Sequence, residues 1–265
     1  MSILQAIILG IIQGLTEFLP VSSSGHLELC KALFDMDFEG GQSKLVTVVL
    51  HGATALSTIV VFRKDIADLL KGLLKFEWNW QTKYMAMLLL SMLPAGAVYA
   101  LFKSEIDSLF DGQVVLVGAM LLLTAALLYI THRYGSRDKE VTNKKALVVG
   151  ISQAIAILPG VSRSGATIAT SLLLGINKEQ AARFSFLMVI PVIFGAMLLD
   201  TMEFIEHGGS ELNVMALSAG FVTAFIVGVL ACRWMIAIVK KSKLSYFAIY
   251  CAIVGTVAII AGLVG

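Results

Sequence analysis

Residues 13–27 read QGLTEFLPVSSSGHL, and this stretch decides the fold. It lies inside strongly apolar sequence, yet it carries Glu17, Pro20, the serines Ser22, Ser23 and Ser24, two glycines and His26. In hydrocarbon every unpaired polar group costs several kcal/mol. An ionisable side chain at membrane depth therefore marks a functional site by default.

The stretch has an echo. Residues 10–25, GIIQGLTEFLPVSSSG, recur as residues 150–165, GISQAIAILPGVSRSG. At an offset of 140, Gly10, Ile11 and Gln13 meet Gly150, Ile151 and Gln153, and Val21, Ser22, Ser24 and Gly25 meet Val161, Ser162, Ser164 and Gly165. Pro20 and Pro159 are one position out of step. Glu17 faces Ile157, Ser23 faces Arg163 and His26 faces Ala166. One copy holds the acid and the imidazole, and the other holds the guanidinium.

Composition sets the environment. Of 265 residues 58% are hydrophobic and 14% charged, with a mean hydropathy of +0.87; soluble domains run to about 45–50% apolar and about 25% charged. The chain reads as an all-α polytopic membrane protein. A net charge of +2 gives no argument for a nucleic-acid partner. Cys30, Cys232 and Cys251 have no metal spacing and read as small packing residues. No basic region leading to a small-residue cleavage site opens the chain, so a cleavable signal is not expected.

A spanning helix needs about 20 apolar residues. Six segments qualify, at 45–62, 84–102, 113–131, 181–202, 214–239 and 244–264. The repeated stretches behave differently: apolar helices over 2–19 and 145–158 stop at Pro20 or Pro159, turn, and restart near 23–34 or 164–175. Each half is too short to cross, which describes re-entrant hairpins over 2–34 and 145–175. The chain then divides into two units, 1–131 and 145–265, of one hairpin plus three spans each, with a polar linker at 132–144. Three is odd, so the second unit inserts upside down relative to the first, the inverted-repeat plan of transporters with a site at the midplane.

Loop charges orient the plan. Loop 63–83 has Arg63, Lys64, Lys71, Lys75 and Lys83; the linker region has Arg133, Arg137, Lys139, Lys144 and Lys145; the last connection has Lys240, Lys241 and Lys243. These are expected to be cytoplasmic. Loop 103–112 sets Lys103 against Glu105, Asp107 and Asp111, and loop 203–213 has no Lys or Arg, so both fall outside, with both termini. The two turns should meet near the membrane centre. Elsewhere packing readings suffice: a small-residue ridge at Gly220, Ala224 and Gly228 that makes a homodimer reasonable, an interfacial belt of Trp78, Trp80 and Tyr84, span kinks at Pro94 and Pro191, and a hydrogen-bonded core histidine at His51.

Gln13 and Glu17, four apart, share a helix face; Ser23 and His26, three apart, share another once the helix restarts. Ser22 or Ser24 suits an N-cap. Arg163 cannot be neutralised, so it needs Glu17 or a ligand phosphate as partner. Two helix N-termini, an arginine fork and several hydroxyls make an anion site, and a hydroxyl beside an imidazole is the pairing for an activated nucleophile. The site suits a phosphorylated ligand whose remainder is lipid-soluble.

QGLTEFLPVSSSGH and PGVSRSGAT resemble the two signature motifs of the undecaprenyl pyrophosphate phosphatase family, also called the bacitracin-resistance protein family, and the resemblance covers essentially the whole chain. It implies a broken-helix transporter-like fold and hydrolysis of a C55 lipid diphosphate to the monophosphate on the outer face of the bacterial cell membrane, recycling the carrier for peptidoglycan synthesis. It also implies a required Mg2+ or Ca2+. By motif position it implicates Glu17, Ser22, Ser23 and His26, then Ser162, Arg163, Ser164 and Thr167, with Ser24 among the hydroxyls that face the phosphates. The family's acidic pattern is Glu or Gln, three residues, then Glu; Gln13 stands at the first place here, leaving one carboxylate. On this reading Ser23 attacks the terminal phosphorus with His26 as base, Arg163 holds phosphate, and a metal lies near Glu17 and Gln13. The alternatives are His26 as nucleophile, or a water activated by it. A polyprenyl-phosphate flippase or ion-coupled transporter on the same scaffold is the competing function.

Overall fold

The computed structural model describes residues 1–34, 42–109, 113–134, 138–206, 213–241 and 244–264. Among them there are twelve helices: α1 (Ile3–Thr16), α2 (Ser23–Leu33), α3 (Gln42–Val61), α4 (Arg63–Leu73), α5 (Trp80–Leu101), α6 (Lys103–Ser108), α7 (Val114–Tyr134), α8 (Asn143–Ile155), α9 (Arg163–Leu173), α10 (Lys178–Glu206), α11 (Val214–Lys240) and α12 (Ser245–Val264). Arg137, Asp111, Lys243 and residues 207–212 of the expected outer loop lie outside the described residues, as do the side chains of Asp107 and Arg133.

All six expected spans are helical, as α3, α5, α7, α10, α11 and α12. Among the described residues α5, α7, α11 and α12 are long and apolar enough to cross a bilayer, and α3 with α4 adds a fifth if that bent pair is one span. The bend between α3 and α4 is 76°, so part of the expected loop 63–83 is an amphipathic helix. Leu69 on α4 is buried in the core while Leu70 faces out. Arg183 of α10 fastens this corner, bonding Asp65 at 2.7 Å and lying 5.5 Å over the Trp80 ring. Tyr84 is buried against Phe184 and leaves the expected interfacial belt to Trp78 and Trp80, which are exposed. Pro94 and Pro191 both sit inside continuous helices.

The repeated stretches form helix–turn–helix units. α1 opens with a capping box, Ser2 with Gln5, which satisfies two of the orphan N–H groups of its first turn. It has 14 residues and α8 has 13, so each is about 20 Å long, short of the roughly 30 Å hydrocarbon core. α8 starts two residues before the expected hairpin, and Lys139 of the linker pairs with Gly175 and Asn177 beyond α9.

Packing crosses between the halves. α1 lies on α11, α8 lies on α5, and α7 lies on α12, while α3 touches both α10 and α11. The first two contacts are made by bare backbone. A Cβ on Gly10 would stand 2.5 Å from Gly220 O, one on Gly14 would stand 2.9 Å from Ala224 O, and one on Gly150 would strike the Ser91 carbonyl. The ridge Gly220, Ala224, Gly228 is therefore covered within the chain, by α1 and, at Gly228, by Ser57 of α3 and Phe18, and the reason for expecting a homodimer disappears. All three cysteines are free and buried, as expected of packing residues.

Candidate active site

The two turns meet. Ser164 Oγ, at the start of α9, donates to Leu19 O in the first turn at 3.1 Å. A Cβ on Gly25 would lie 3.1 Å from Gly160 Cα, and one on Gly165 would lie 3.3 Å from Pro20 Cβ. Each restarting helix thus abuts the opposite turn, and the glycines at the equivalent positions permit it.

Both turns use the same cap. Ser22 Oγ accepts from Gly25 N at 3.3 Å and approaches Ser24 Oγ at 3.4 Å. Ser162 Oγ accepts from Gly165 N at 3.0 Å and approaches Ser164 Oγ at 3.3 Å. Their backbones differ: Ser22 has φ 70, the left-handed region, whereas Ser162 has φ −76. The last spans hold the turns from outside. Thr124 of α7 accepts from Ser162 N at 3.1 Å, and Cys251 of α12 contacts Pro20 O at 3.6 Å.

Glu17, the C-cap of α1 and 5% exposed, is the hub. Arg163 NH2 donates to Glu17 Oε1 at 2.6 Å. Ser23 Oγ donates to Oε2 at 2.8 Å, Gln13 Nε2 donates to the same oxygen at 3.0 Å, and His51 Nε2 stands 3.6 Å away. Burying a charge without a partner is costly, and the charged guanidinium from the other half meets that cost. The geometry thus places Arg163, Ser23 and Gln13 around one carboxylate. It also leaves two buried polar atoms there with no hydrogen-bond partner, Arg163 NH1 and Gln13 Oε1.

Ser23 bonds Glu17 rather than the expected imidazole. His26 Nδ1 faces Ser22 O at 2.8 Å, and its Nε2 faces the Tyr250 hydroxyl at 2.9 Å. Thr167 is fully buried, bonded to Ser185 Oγ at 2.6 Å and to Arg163 O at 2.8 Å. Sequence reasoning missed Tyr250 and Thr124; it read His51 as a hydrogen-bonded core histidine, which its contact with Thr47 O at 2.8 Å bears out, without foreseeing Glu17 as its neighbour. His51 is an ionisable group within an apolar span, the same signal that singled out Glu17. Tyr250 and Thr124 carry only the weak mark of a hydroxyl on a membrane helix.

As for a cation, Glu17 is the one carboxylate here, and both its oxygens are engaged. Among the described residues no group of three or more His, Cys, Asp or Glu could hold a metal. The donor set, one carboxylate and the open Gln13 amide oxygen, fits a cation that arrives with a diphosphate and not a caged resident one.

The bacitracin resistance protein family, BacA, matches residues 6–257. The chain belongs to that family. It is 55% identical over 260 residues to the undecaprenyl-diphosphatase of Christiangramia forsetii, covering 98% of each chain. It is 53% identical to that of Bacteroides fragilis strain YCH46 over 97% of each, and 37% identical to that of Methanobrevibacter smithii over 97% of this chain and 96% of the relative. The family match spans both hairpins, so the paired turns lie within it.

Proposed function

We propose that this membrane protein is an undecaprenyl-diphosphatase: it hydrolyses undecaprenyl diphosphate to undecaprenyl phosphate and inorganic phosphate, returning the lipid carrier to peptidoglycan synthesis and so conferring bacitracin resistance. The observation that carries the chemistry is the Ser23–Glu17–Arg163 cluster, in which a hydroxyl already bonded to a carboxylate stands beside a guanidinium whose second nitrogen is unpartnered.

Arg163 takes the diphosphate, its fork suited to phosphate oxygens. Moving the guanidinium onto phosphate frees Glu17 to act as base. Ser23 Oγ attacks the terminal phosphorus, its proton passes to Glu17, and the bond to the bridging oxygen breaks, releasing undecaprenyl phosphate. Water then cleaves the phosphoserine. His26 Nε2 accepts the water's proton, the bond from phosphorus to Ser23 Oγ breaks, Glu17 returns the proton to Ser23, inorganic phosphate leaves, and His26 gives its proton up to solvent. Mg2+ or Ca2+ brought by the substrate would be held by diphosphate oxygens with Glu17 and Gln13, and would offset negative charge on the phosphates.

The site is proposed to open to the outer face of the cell membrane, with both termini outside and the halves related as inverted repeats. The exchange of α1 onto α11 against α8 onto α5 and the basic residues of α4 support this arrangement. The test is phosphate release from undecaprenyl diphosphate by the detergent-solubilised protein, with and without chelator, followed by mapping of a trapped phosphoenzyme. Release, its loss on chelation, and an adduct on Ser23 are expected. Binding without release favours a carrier, and an adduct on imidazole overturns the Ser23 assignment.

A further inference from the structure

α12 belongs to the far end of the chain, yet two adjacent residues of it grip the first turn: Cys251 at the Pro20 carbonyl and Tyr250 at His26. The second contact has the geometry of an orienting pair. The rings are stacked, with centroids 5.6 Å apart and planes 12° off parallel, and the phenol oxygen lies 2.9 Å from Nε2. On its other side the ring meets a carbonyl, Ser22 O, at 2.8 Å from Nδ1. A carbonyl only accepts, so Nδ1 carries the hydrogen of the neutral ring. Nε2 is then the bare nitrogen, and the Tyr250 hydroxyl donates to it.

Tyr250 is 43% exposed, between Tyr246, Ile249 and Ile253, which all face outward. That is the lipid-facing side of α12. A tyrosine placed there for packing alone would direct its hydroxyl to the interface; this one turns inward to the imidazole.

We infer that Tyr250 is a positioning residue for His26: it stacks on the imidazole and donates to Nε2, holding in place a ring whose Nδ1–H tautomer Ser22 O sets and whose lone pair lies on Nε2. The inference rests on the reading of His26 as the group that takes a proton from water. Which nitrogen of a histidine carries hydrogen is set by the partner of the other, and here both partners are in place before substrate arrives. Tyr250 then yields Nε2 to the water when the phosphoserine forms.

Tyr250→Phe keeps the ring stack and removes only the hydroxyl. In that variant kcat is expected to fall by about tenfold to a hundredfold, the usual loss when an orienting partner of a working imidazole is removed. KM for undecaprenyl diphosphate should stay near wild type, and the limb of the pH–rate profile that His26→Ala abolishes should be displaced. Ring 15N shifts of His26 should report the Nδ1–H tautomer in both proteins, held by Ser22 O, with the Nε2 resonance displaced in the variant by loss of the hydroxyl's hydrogen bond. Monodisperse, equally heat-stable Tyr250→Phe protein with native kcat, native pH profile and an unchanged Nε2 shift overturns the inference. If His26→Ala itself turns over normally, the reading of His26 fails instead, while the 15N measurement still decides whether Tyr250 donates to Nε2.

Discussion

The two hairpins share one sequence pattern and differ from it in opposite directions. α9 is enclosed: Ser164 through Ala169, Ser171 and Leu172 are buried. α2 buries only Gly25, Leu27 and Cys30, and Leu33 at its end is 78% exposed. The bends differ too. Between the leucine–proline pair and the capping serine the second hairpin has Gly160 and Val161, and the first has Val21 alone. The extra glycine takes the left-handed conformation at φ 94 and leaves Ser162 extended; without it, that conformation falls on Ser22. A non-glycine residue held there costs on the order of 1–3 kcal/mol and persists only where its surroundings enforce it. The enclosed copy supplies the Arg163 guanidinium, and the strained, open copy supplies Glu17, Ser23 and His26.

The sharpest way to break that contrast is at the acid. Glu17→Gln should lower phosphate release by about 10²- to 10⁴-fold, the range for loss of a proton-transfer group, whereas Ile157→Ala at the matching place in the second hairpin should leave the rate near wild type. Equal losses at both positions would mean the two turns share the chemistry. A smaller effect is expected at the bend of the enclosed copy. Gly160→Ala forces a Cβ onto φ 94 and within 2.5 Å of Val117 O, so thermal unfolding in detergent should register a loss of about 1–3 kcal/mol. A native melting temperature would show that the bend relaxes freely. The smallest effect separates the two caps. Glycine in place of a capping serine costs only a few tenths of a kcal/mol, and at Ser22 it also relieves strain. Ser22→Gly should therefore melt at or above the temperature of Ser162→Gly; the reverse order would remove strain from the account of the first turn.

Much of this was legible before any coordinates. The 140-residue echo located both turns, and the odd pair Glu17 and Arg163 pointed to each other because neither charge could be buried alone. Helix–turn–helix arms followed from the prolines and from lengths too short to cross. What the sequence did not disclose was choice among near neighbours. Ser23 could face Glu17 or His26, and helical spacing favoured the imidazole on the same face of α2. The bend instead swings the start of α2 back over the end of α1, bringing the hydroxyl to the carboxylate. The same limit hid Tyr250 and the closeness of His51 to Glu17, pairs 224 and 34 residues apart. The ridge at Gly220 was read as an outward contact because a small-residue stripe does not say which helix will cover it.

That covering helix has a consequence for how the protein is made. α1 is the first helix synthesised, but its glycine face rests on α11, which follows some two hundred residues later. α8 finds its seat on α5 already built. A ribosome still short of residue 214 has therefore delivered Glu17 and Ser23 on a hairpin that can lean on α3 but not yet on α11. The glycine face of the first hairpin stays uncovered until the fourth quarter of the chain arrives, so C-terminal truncation should harm the N-terminal motif first.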